Sequence, residues 1–326
     1  MRRRVTVRWI DALFLSWLTC GGPTTAWAQP SLPTVAVLRA TGAEGSRADL
    51  MFREALRSIG HEDGRTINIV GYAANNDPTQ LPSLAARIVA SRPSVLVAMG
   101  PASARAIKAA SASLPIVAFT SFPVEAGLAA SLARPGGNLT GVSLITTEMD
   151  SKRLSLLAEF APMAKRIGVL RDRAVPANHL PELHETALSL GIVLDVVEVA
   201  RPEDISVAVA LVKGRGAQAL NVLASPMLNS SAREVAERAR FAGLPTVCQW
   251  REMAEAGCSL SYGPSFMEGY RLTAAQMDRI LRGAHPAELP IQQPTRFELV
   301  VNLKAAEAAG LTIPPTLLAR ADEVIE

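Results

Sequence analysis

The sequence predicts an α/β protein built from two parallel sheets, each flanked by helices. Its 326 residues are 49% hydrophobic and 19% charged, which is enough apolar material for one or two packed cores. Short runs rich in β-branched residues alternate with longer segments in which apolar residues recur every three or four positions. Strands and helices that alternate in this way are typical of parallel sheets covered on both faces.

The first series of elements begins at residue 34. We predict strands at 34–38, 66–72, 95–98 and 115–119, and helices at 48–59, 81–90 and 102–110. The run Arg134-Pro135-Gly136-Gly137-Asn138 then ends the last helix of this series, because proline cannot continue a helix and glycine permits a sharp reversal. We expect residues 139–143 to carry the chain to a second unit; an ordinary turn within one domain is the alternative.

The second series repeats the pattern. We predict strands at 166–170, 193–199, 219–223 and 245–248, and helices at 152–160, 181–190, 202–212 and 231–242. A strand at 259–262, a helix at 266–281, a crossing at 290–294 and a strand at 297–301 follow. We therefore assign residues 32–142 and 263–291 to lobe 1, and residues 143–262 and 292–326 to lobe 2. Several crossings between two lobes would form a hinge that lets them close on a ligand.

The first 28 residues have the order of a secretory signal peptide. Four arginines precede a short apolar stretch, and the triplet Ala26-Trp27-Ala28 stands before Gln29. The apolar stretch at 12–18 is far shorter than the ~20 residues that span a bilayer, which disfavours a membrane anchor. Residues 17–19 match poorly the small residues expected before a lipidated Cys20. We expect cleavage after Ala28 and a soluble protein in the periplasm.

Cleavage would leave a chain whose charges nearly balance. Lys plus Arg falls from 33 to 29 and Asp plus Glu from 30 to 29, since residues 1–28 hold four Arg and one Asp. A neutral chain without a Lys/Arg cluster offers no electrostatic footprint for nucleic acid or acidic lipid. We therefore expect no nucleic-acid partner.

Two cysteines, Cys248 and Cys258, would remain in a compartment that permits disulfides. The first would end one strand and the second would begin the next, so in a parallel sheet they would lie at opposite ends. That placement disfavours a disulfide, although the sequence leaves the pairing open.

Catalytic motifs are absent from the sequence. It has no Gly-x-Ser-x-Gly, Gly-x-x-x-x-Gly-Lys or His-Glu-x-x-His motif, and Gly42 and Gly45 lack the third glycine of a dinucleotide fingerprint. His179 and His184 are five residues apart, which places them off one helical face and favours a solvated face over a metal pair. We predict that the protein is not an enzyme and has no cofactor or metal.

Small polar residues follow the predicted strands, where open α/β sheets bind their ligands. Gly100-Pro101-Ala102-Ser103 opens a helix after the strand at 95–98, and Pro101 suits its first turn. The free N–H groups of that turn would favour an anion such as a carboxylate. The other candidate ligand-binding residues are Thr41, Thr120 and Ser121 from the first unit, and Ser143, Arg171, Ser225, Trp250 and Tyr262 from the second. Each one alone suits a cap or turn equally well, so the prediction rests on their recurrence at strand ends.

Three stretches carry a family resemblance: LARPGGNLTGVS (132–143), WREMAEAGCSLSYGP (250–264) and the run 278–326. They closely resemble the solute-binding proteins of ABC importers, in the family that includes tryptophan- and tyrosine-binding members. The resemblance covers essentially the whole mature chain. It implies a two-lobed periplasmic-binding fold of type I with three hinge crossings, and an ABC permease in the inner membrane as partner.

The family pattern also bears on the ligand. An acidic residue often precedes the Pro-Val that is Pro123-Val124 here, and another is common at the position of Ser225, but this chain has Phe122 and Ser225. Both acids would suit a ligand ammonium group. An aromatic or carboxylated metabolite therefore fits as well as an amino acid.

We expect a monomeric periplasmic receptor that captures a small organic molecule between closing lobes and delivers it to the permease. One alternative is the same fold serving a signalling receptor. A secreted doubly wound enzyme is the other, although no paired titratable groups for acid–base catalysis stand out.

Overall fold

The computed structural model describes residues 31–40, 45–75, 77–144 and 149–326. The first sheet contains five strands, all paired in parallel: β1 (Thr34–Arg39), β2 (Asn68–Ala73), β3 (Val95–Met99), β4 (Ile116–Thr120) and β5 (Leu139–Ser143), in the order β2-β1-β3-β4-β5. Its helices are α1 (Arg47–Arg57), α2 (Leu81–Ala90) and α3 (Pro101–Ala110).

The second sheet contains seven strands. They are β6 (Arg166–Asp172), β7 (Val193–Val199), β8 (Ala219–Val222), β9 (Thr246–Cys248), β10 (Leu260–Pro264), β11 (Phe297–Asn302) and β12 (Glu323–Ile325), in the order β12-β11-β10-β9-β8-β6-β7. The pair β10–β11 is antiparallel, and the other pairs of neighbouring strands in this sheet are parallel. The helices of this part of the chain are α4 (Asp150–Phe160), α5 (Leu180–Ser189), α6 (Ile205–Gly214), α7 (Pro226–Ser230), α8 (Ala232–Phe241), α9 (Arg251–Glu255), α11 (Leu303–Ala308) and α12 (Pro315–Leu318).

One long helix, α10 (Phe266–Leu281), leaves the second sheet after β10 and packs on β3, β4, β5 and α1 of the first. Gly269 permits the close approach, because a Cβ there would lie 2.7 Å from Cε2 of Phe119. The helix therefore belongs to the core of a sheet that the chain had already left.

Apolar side chains fill both faces of each sheet. In β1, Val35 and Val37 join one buried cluster while Ala36 and Leu38 join the cluster on the opposite face. A strand covered on both sides needs apolar residues at every position, which is why β1, β3 and β4 read as unbroken apolar runs. The predicted class, two parallel sheets each flanked by helices, is confirmed.

Two expectations about residues 122–143 are wrong. The helix expected to end at Arg134 does not form in residues 122–133; turns replace it, such as the bonds from Ala126 N to Phe122 O and from Gly127 N to Val124 O, both 2.9 Å. Residues 139–143 are not a crossing but the edge strand β5, paired with β4. Gly141, with φ of +145°, allows that pairing, since a Cβ there would lie 2.0 Å from Ala118 O.

The expectation against a disulfide is also wrong, because Cys248 and Cys258 are bonded with their Cα atoms 6.4 Å apart. Cys258 does not begin β10. It lies in the turn after the short helix α9, where its N–H donates to Met253 O at 3.0 Å. This turn brings Cys258 back beside the end of β9, whereas a strand that began at Cys258 would place it at the opposite end of the sheet.

Smaller differences concern short elements. The predicted helix at 231–242 is α8, and a short helix that was not predicted, α7, precedes it; the helix predicted at 202–212 starts with a 3-10 turn. Across the described ranges, none of the helices has the length and apolar character to cross a membrane.

Candidate functional site

The carboxyl ends of strands from both sheets line two adjoining cavities, which together we call the cleft. The larger cavity has a volume of about 470 Å³ and the smaller about 210 Å³. Both are lined by Met99, Gly100, Pro101 and Ser121 of the first-sheet side and by Pro226 and Ser230 of the second. The cleft therefore lies where parallel sheets usually place a binding site.

The start of α3 faces the larger cavity. Gly100 adopts a φ of +93° and supplies no side-chain cap, and Pro101 begins the helix. The N–H groups of Ala102 and Ser103 therefore have no acceptor within the helix, and Ala102 lines the larger cavity. The fully buried Ser103 hydroxyl has no hydrogen-bond partner among the described residues. This end of α3 is suited to an anion.

Beside α3, the end of β4 contributes two hydroxyl residues and one strained aromatic residue. Thr120 and Ser121 are buried and line the smaller cavity, and Ser121 also lines the larger. Phe122 lines the larger cavity with a φ of +53°. A bulky side chain rarely adopts this left-handed conformation, and such strain concentrates at functional sites.

Stacked aromatic rings form one wall of the smaller cavity. Phe119 and Tyr270 stack with ring centroids 4.6 Å apart, Phe266 lies 5.9 Å from Phe119, and Trp250 lies 5.2 Å from Phe266. Burial raises the pKa of Tyr270, with the nearby Glu252 adding to the shift. Trp250 is only 3% exposed, and its indole Nε1 has no partner among the described residues.

Buried charges lie behind the opposite wall. Asp150 and Arg153 form an ion pair in which both side chains are almost wholly buried, and Arg153 Nη1 donates to Tyr262 O at 2.9 Å. His179, which was expected on a solvated face, is buried instead, and its Nε2 lies 3.2 Å from Asp150 Oδ2. Burial lowers the pKa of His179; Asp150 opposes this shift, while Arg171 and Arg153 add to it. His179 is therefore neutral at pH 7.

The loop after β6 is held by two residues that the sequence singled out. Arg171 pairs with Glu198 and donates to Val175 O at 2.8 Å. Ser225 caps α7 by accepting from Leu228 N at 3.1 Å, and its hydroxyl donates to Asp172 Oδ2 at 2.6 Å. Asp172 and Val175 line the larger cavity, so Arg171 and Ser225 support the site from behind.

The predicted site residues separate into three groups. Those that line the cleft are Gly100, Pro101, Ala102, Thr120, Ser121 and Trp250. Ser103, Ser143, Arg171 and Ser225 are buried and line neither cavity, and Ser143, expected in the second unit, is the last residue of β5 in the first sheet. Tyr262 packs against Phe297 with centroids 5.9 Å apart, in a hydrophobic core, and Thr41 lies outside the described residues.

Sequence reasoning missed several residues that line the cleft. Asp172 could have been found from the sequence, because it is the last residue of β6, whose predicted strand at 166–170 ended two residues too early. No local pattern marks Phe266 and Tyr270, because they lie on α10, which is distant in sequence from the strands of the first sheet beside which it packs. Arg105 and Glu125 line the larger cavity, and neither forms a salt bridge within the described residues. No group of three or more His, Cys, Asp or Glu in those residues could hold a metal ion.

Comparisons with known proteins agree with this architecture. The family model described as ABC transporter substrate binding protein matches residues 46–325. A tyrosine-binding protein of Clostridioides difficile (strain R20291) is 26% identical over 281 residues, covering 83% of this chain and 80% of the relative.

Two solved structures are similar over nearly the whole chain. A conserved domain protein from Vibrio cholerae O1 biovar eltor is 27% identical with a TM-score of 0.80, covering 90% of this chain and 99% of that one. A Streptococcus pneumoniae ABC domain in complex with L-Trp is 23% identical, also with a TM-score of 0.80, covering 90% and 100%. These likenesses confirm the type I periplasmic-binding fold.

Proteins of this kind bind solutes and are not enzymes, and they are typically periplasmic or otherwise extracytoplasmic. The chain belongs to the ABC transporter substrate binding protein family.

Proposed function

We propose that this protein is the periplasmic solute-binding subunit of an ABC importer, and that it captures a small carboxylated molecule between two closing lobes. The observation that carries the proposal is the cleft itself, lined from both sheets at the carboxyl ends of their strands and containing the uncapped start of α3. The proposed ligand places its carboxylate there.

Closure needs two bodies and a hinge. We propose the division expected from the sequence, with residues 32–142 and 263–291 in one lobe and residues 143–262 and 292–326 in the other. The exceptions are Ser143, which ends β5 of the first sheet, and Gly263 and Pro264, which end β10 of the second. The packing of α10 on the first sheet and the place of β11 in the second support this division. The chain then crosses between the lobes after β5, between β10 and α10, and between α10 and β11. Three crossings allow a hinge motion in which each residue changes its torsion angles little.

The body of the ligand is proposed to be aromatic or apolar. Phe119, Phe266, Trp250 and Tyr270 supply a stacking wall in the smaller cavity. Asp172 and Glu125 line the larger cavity, so a ligand ammonium group has carboxylates within the same cleft although Phe122 and Ser225 are not acidic. Aromatic amino acids, which the names of two relatives mention, are therefore the first compounds to test.

Native mass spectrometry of protein purified from the periplasm, followed by titration calorimetry, tests the proposal. L-tryptophan, indole-3-propionate and tryptamine differ only in which charged groups they carry, and L-tyrosine extends the set. We expect that binding needs the carboxylate, so tryptamine should not bind. The proposal fails if no carboxylated compound is retained or bound, or if tryptamine binds as tightly as L-tryptophan.

Delivery to the permease and export to the periplasm have separate tests. Uptake of the bound compound should fall in cells that lack this protein, and export should remove residues 1–28 to leave Gln29 as the first residue. Unchanged uptake would favour the sensing alternative.

A further inference from the structure

We propose that Arg47, Glu255, Arg251 and Glu323 form an ion-pair latch that holds the two lobes together and raises the affinity of the cleft for its ligand. The latch rests on the proposed lobe closure, but its residues do not line the cleft.

The latch joins helices that pack on different sheets. Arg47 is the first residue of α1, and Glu255 is the last residue of α9. Their side chains form an ion pair across 208 positions of sequence, with 52% of the arginine and 29% of the glutamate side chain exposed. Because α1 covers the first sheet and α9 follows a strand of the second, opening of the lobes must separate this pair.

The latch residues of the second-sheet side hold one another in place without Arg47. Arg251 Nη1 lies 2.6 Å from Glu255 Oε1, and the Nε and Nη2 atoms of Arg251 each donate to Glu323 at 2.6 Å. Arg251 in turn lowers the pKa of Glu323, which therefore stays ionised at neutral pH. Because Glu255 is already held in place, forming its ion pair with Arg47 loses less conformational entropy than pairing two free side chains would.

The latch is adjacent in sequence to the cleft wall on both sides. Ala48 follows Arg47 and Trp250 precedes Arg251, and both line the smaller cavity. The latch residues Arg47, Arg251 and Glu323 line a further cavity of about 320 Å³, which shares Phe266 with the smaller one. A ligand that draws Ala48 and Trp250 together therefore also brings the latch partners together, and linkage requires that the latch favour ligand binding in return.

A distance measurement between spin labels tests the latch without any ligand. Labels at Ala109→Cys on α3 and Glu237→Cys on α8, both exposed positions, report the closed and open populations by pulsed dipolar spectroscopy. We expect the ratio of closed to open protein to fall about two- to fivefold in Arg47→Gln and in Glu255→Gln. The double variant should show no further loss, and 1 M salt, where the Debye length is about 3 Å, should lower the ratio of the wild type alike.

Arg320→Gln is the matched control. Its ion pair with Glu159 has similar exposure, 47% and 33%, but both partners belong to the second-sheet side, so the closed fraction should not change. Equal populations in wild type and Arg47→Gln, additive effects in the double variant, or no closed population in the wild type would overturn the latch. Failure of every compound in calorimetry would instead count against the proposed function, because the label distances are measured in the absence of ligand.

Discussion

The two walls of the cleft are stabilised by different interactions. On the first-sheet side, the start of α3 and the Ser103 hydroxyl have polar groups without protein partners among the described residues. On the second-sheet side, Asp150 and Arg153 pair with each other, and a disulfide joins Cys248 to Cys258. The first wall therefore has hydrogen-bonding capacity left for a ligand. The second pairs Asp150 with Arg153 internally, and what it presents to the cleft is the Asp172 carboxylate and the indole N–H of Trp250, which has no partner among the described residues.

The largest expected effect is the loss of the buried ion pair. Arg153→Leu leaves Asp150 charged and buried without its partner, which should cost about 3–5 kcal/mol of unfolding free energy. Denaturant unfolding measures it, and Arg320→Leu, which breaks an exposed pair, should cost about 1 kcal/mol or less. Equal losses in the two variants would mean that the second wall does not depend on its buried charges.

Removal of the disulfide should have the next largest effect. The bond closes a loop between positions ten residues apart, and the chain-entropy estimate for a loop of this size is about 3 kcal/mol. In the variant with both cysteines changed to alanine, we expect hydrogen exchange to accelerate in β8, β9 and β10 while β1, β3 and β4 keep their protection. Acceleration spread evenly over both sheets would contradict the distinction between the two regions.

How much the sequence could predict differs between elements for physical reasons. The buried strands β1 and β3 are continuous apolar runs bounded by turns, so their pattern is local and was predicted within a residue or two. The disulfide was not, because its geometry depends on the turn after α9 rather than on strand register.

In the cleft, the start of α3 was predictable because a strand, a glycine and a proline mark it in sequence. The aromatic wall was not, since Phe266 and Tyr270 reach the first sheet only through the return of α10. Local pattern thus predicts strand ends, but not the distant helix that packs beside them.

A change at the first wall should weaken binding without lowering stability. Ala102→Asp places a negative charge in the first turn of α3, where it repels a ligand carboxylate while stabilising the helix by about 0.3–1 kcal/mol. We expect affinity for a carboxylated probe to fall about 10- to 100-fold, equivalent to about 1.4–2.7 kcal/mol. Ala102→Asn, neutral and of the same shape, is the control. If calorimetry gives the same affinity for both variants, the anion does not lie at α3.

Trp250 connects the two regions and should give a smaller effect. Its ring belongs to a buried cluster of the second sheet and also lines the cleft, so Trp250→Ala would cost about 3–5 kcal/mol through lost packing alone. Trp250→Phe keeps most of the ring and removes only the unpartnered N–H. We expect affinity to fall less than tenfold, consistent with one hydrogen bond, and a midpoint of unfolding close to that of the wild type. A large stability loss with unchanged affinity would assign Trp250 to the core.

The smallest expected effect concerns pH. Burial lowers the pKa of His179 in the folded protein below its ordinary value of 6.5. As the pH falls below 6.5, the histidine therefore binds a proton in the unfolded chain before it does so in the folded protein. Stability from the neutral ring is therefore present above pH 6.5 and lost as pH falls through the folded pKa. His179→Gln should flatten the stability profile just below pH 6.5, measured by thermal unfolding at several pH values, and a profile parallel to the wild type would contradict this account.

The most direct test of the central claim is a crystal structure of the protein with the compound that it retains on purification or that binds in calorimetry. The account predicts a ligand between the two sheets, with a carboxylate oxygen about 2.7–3.2 Å from the backbone nitrogen of Ala102 or Ser103. A ligand seated outside the cleft, or one whose anionic group lies away from the start of α3, would contradict it.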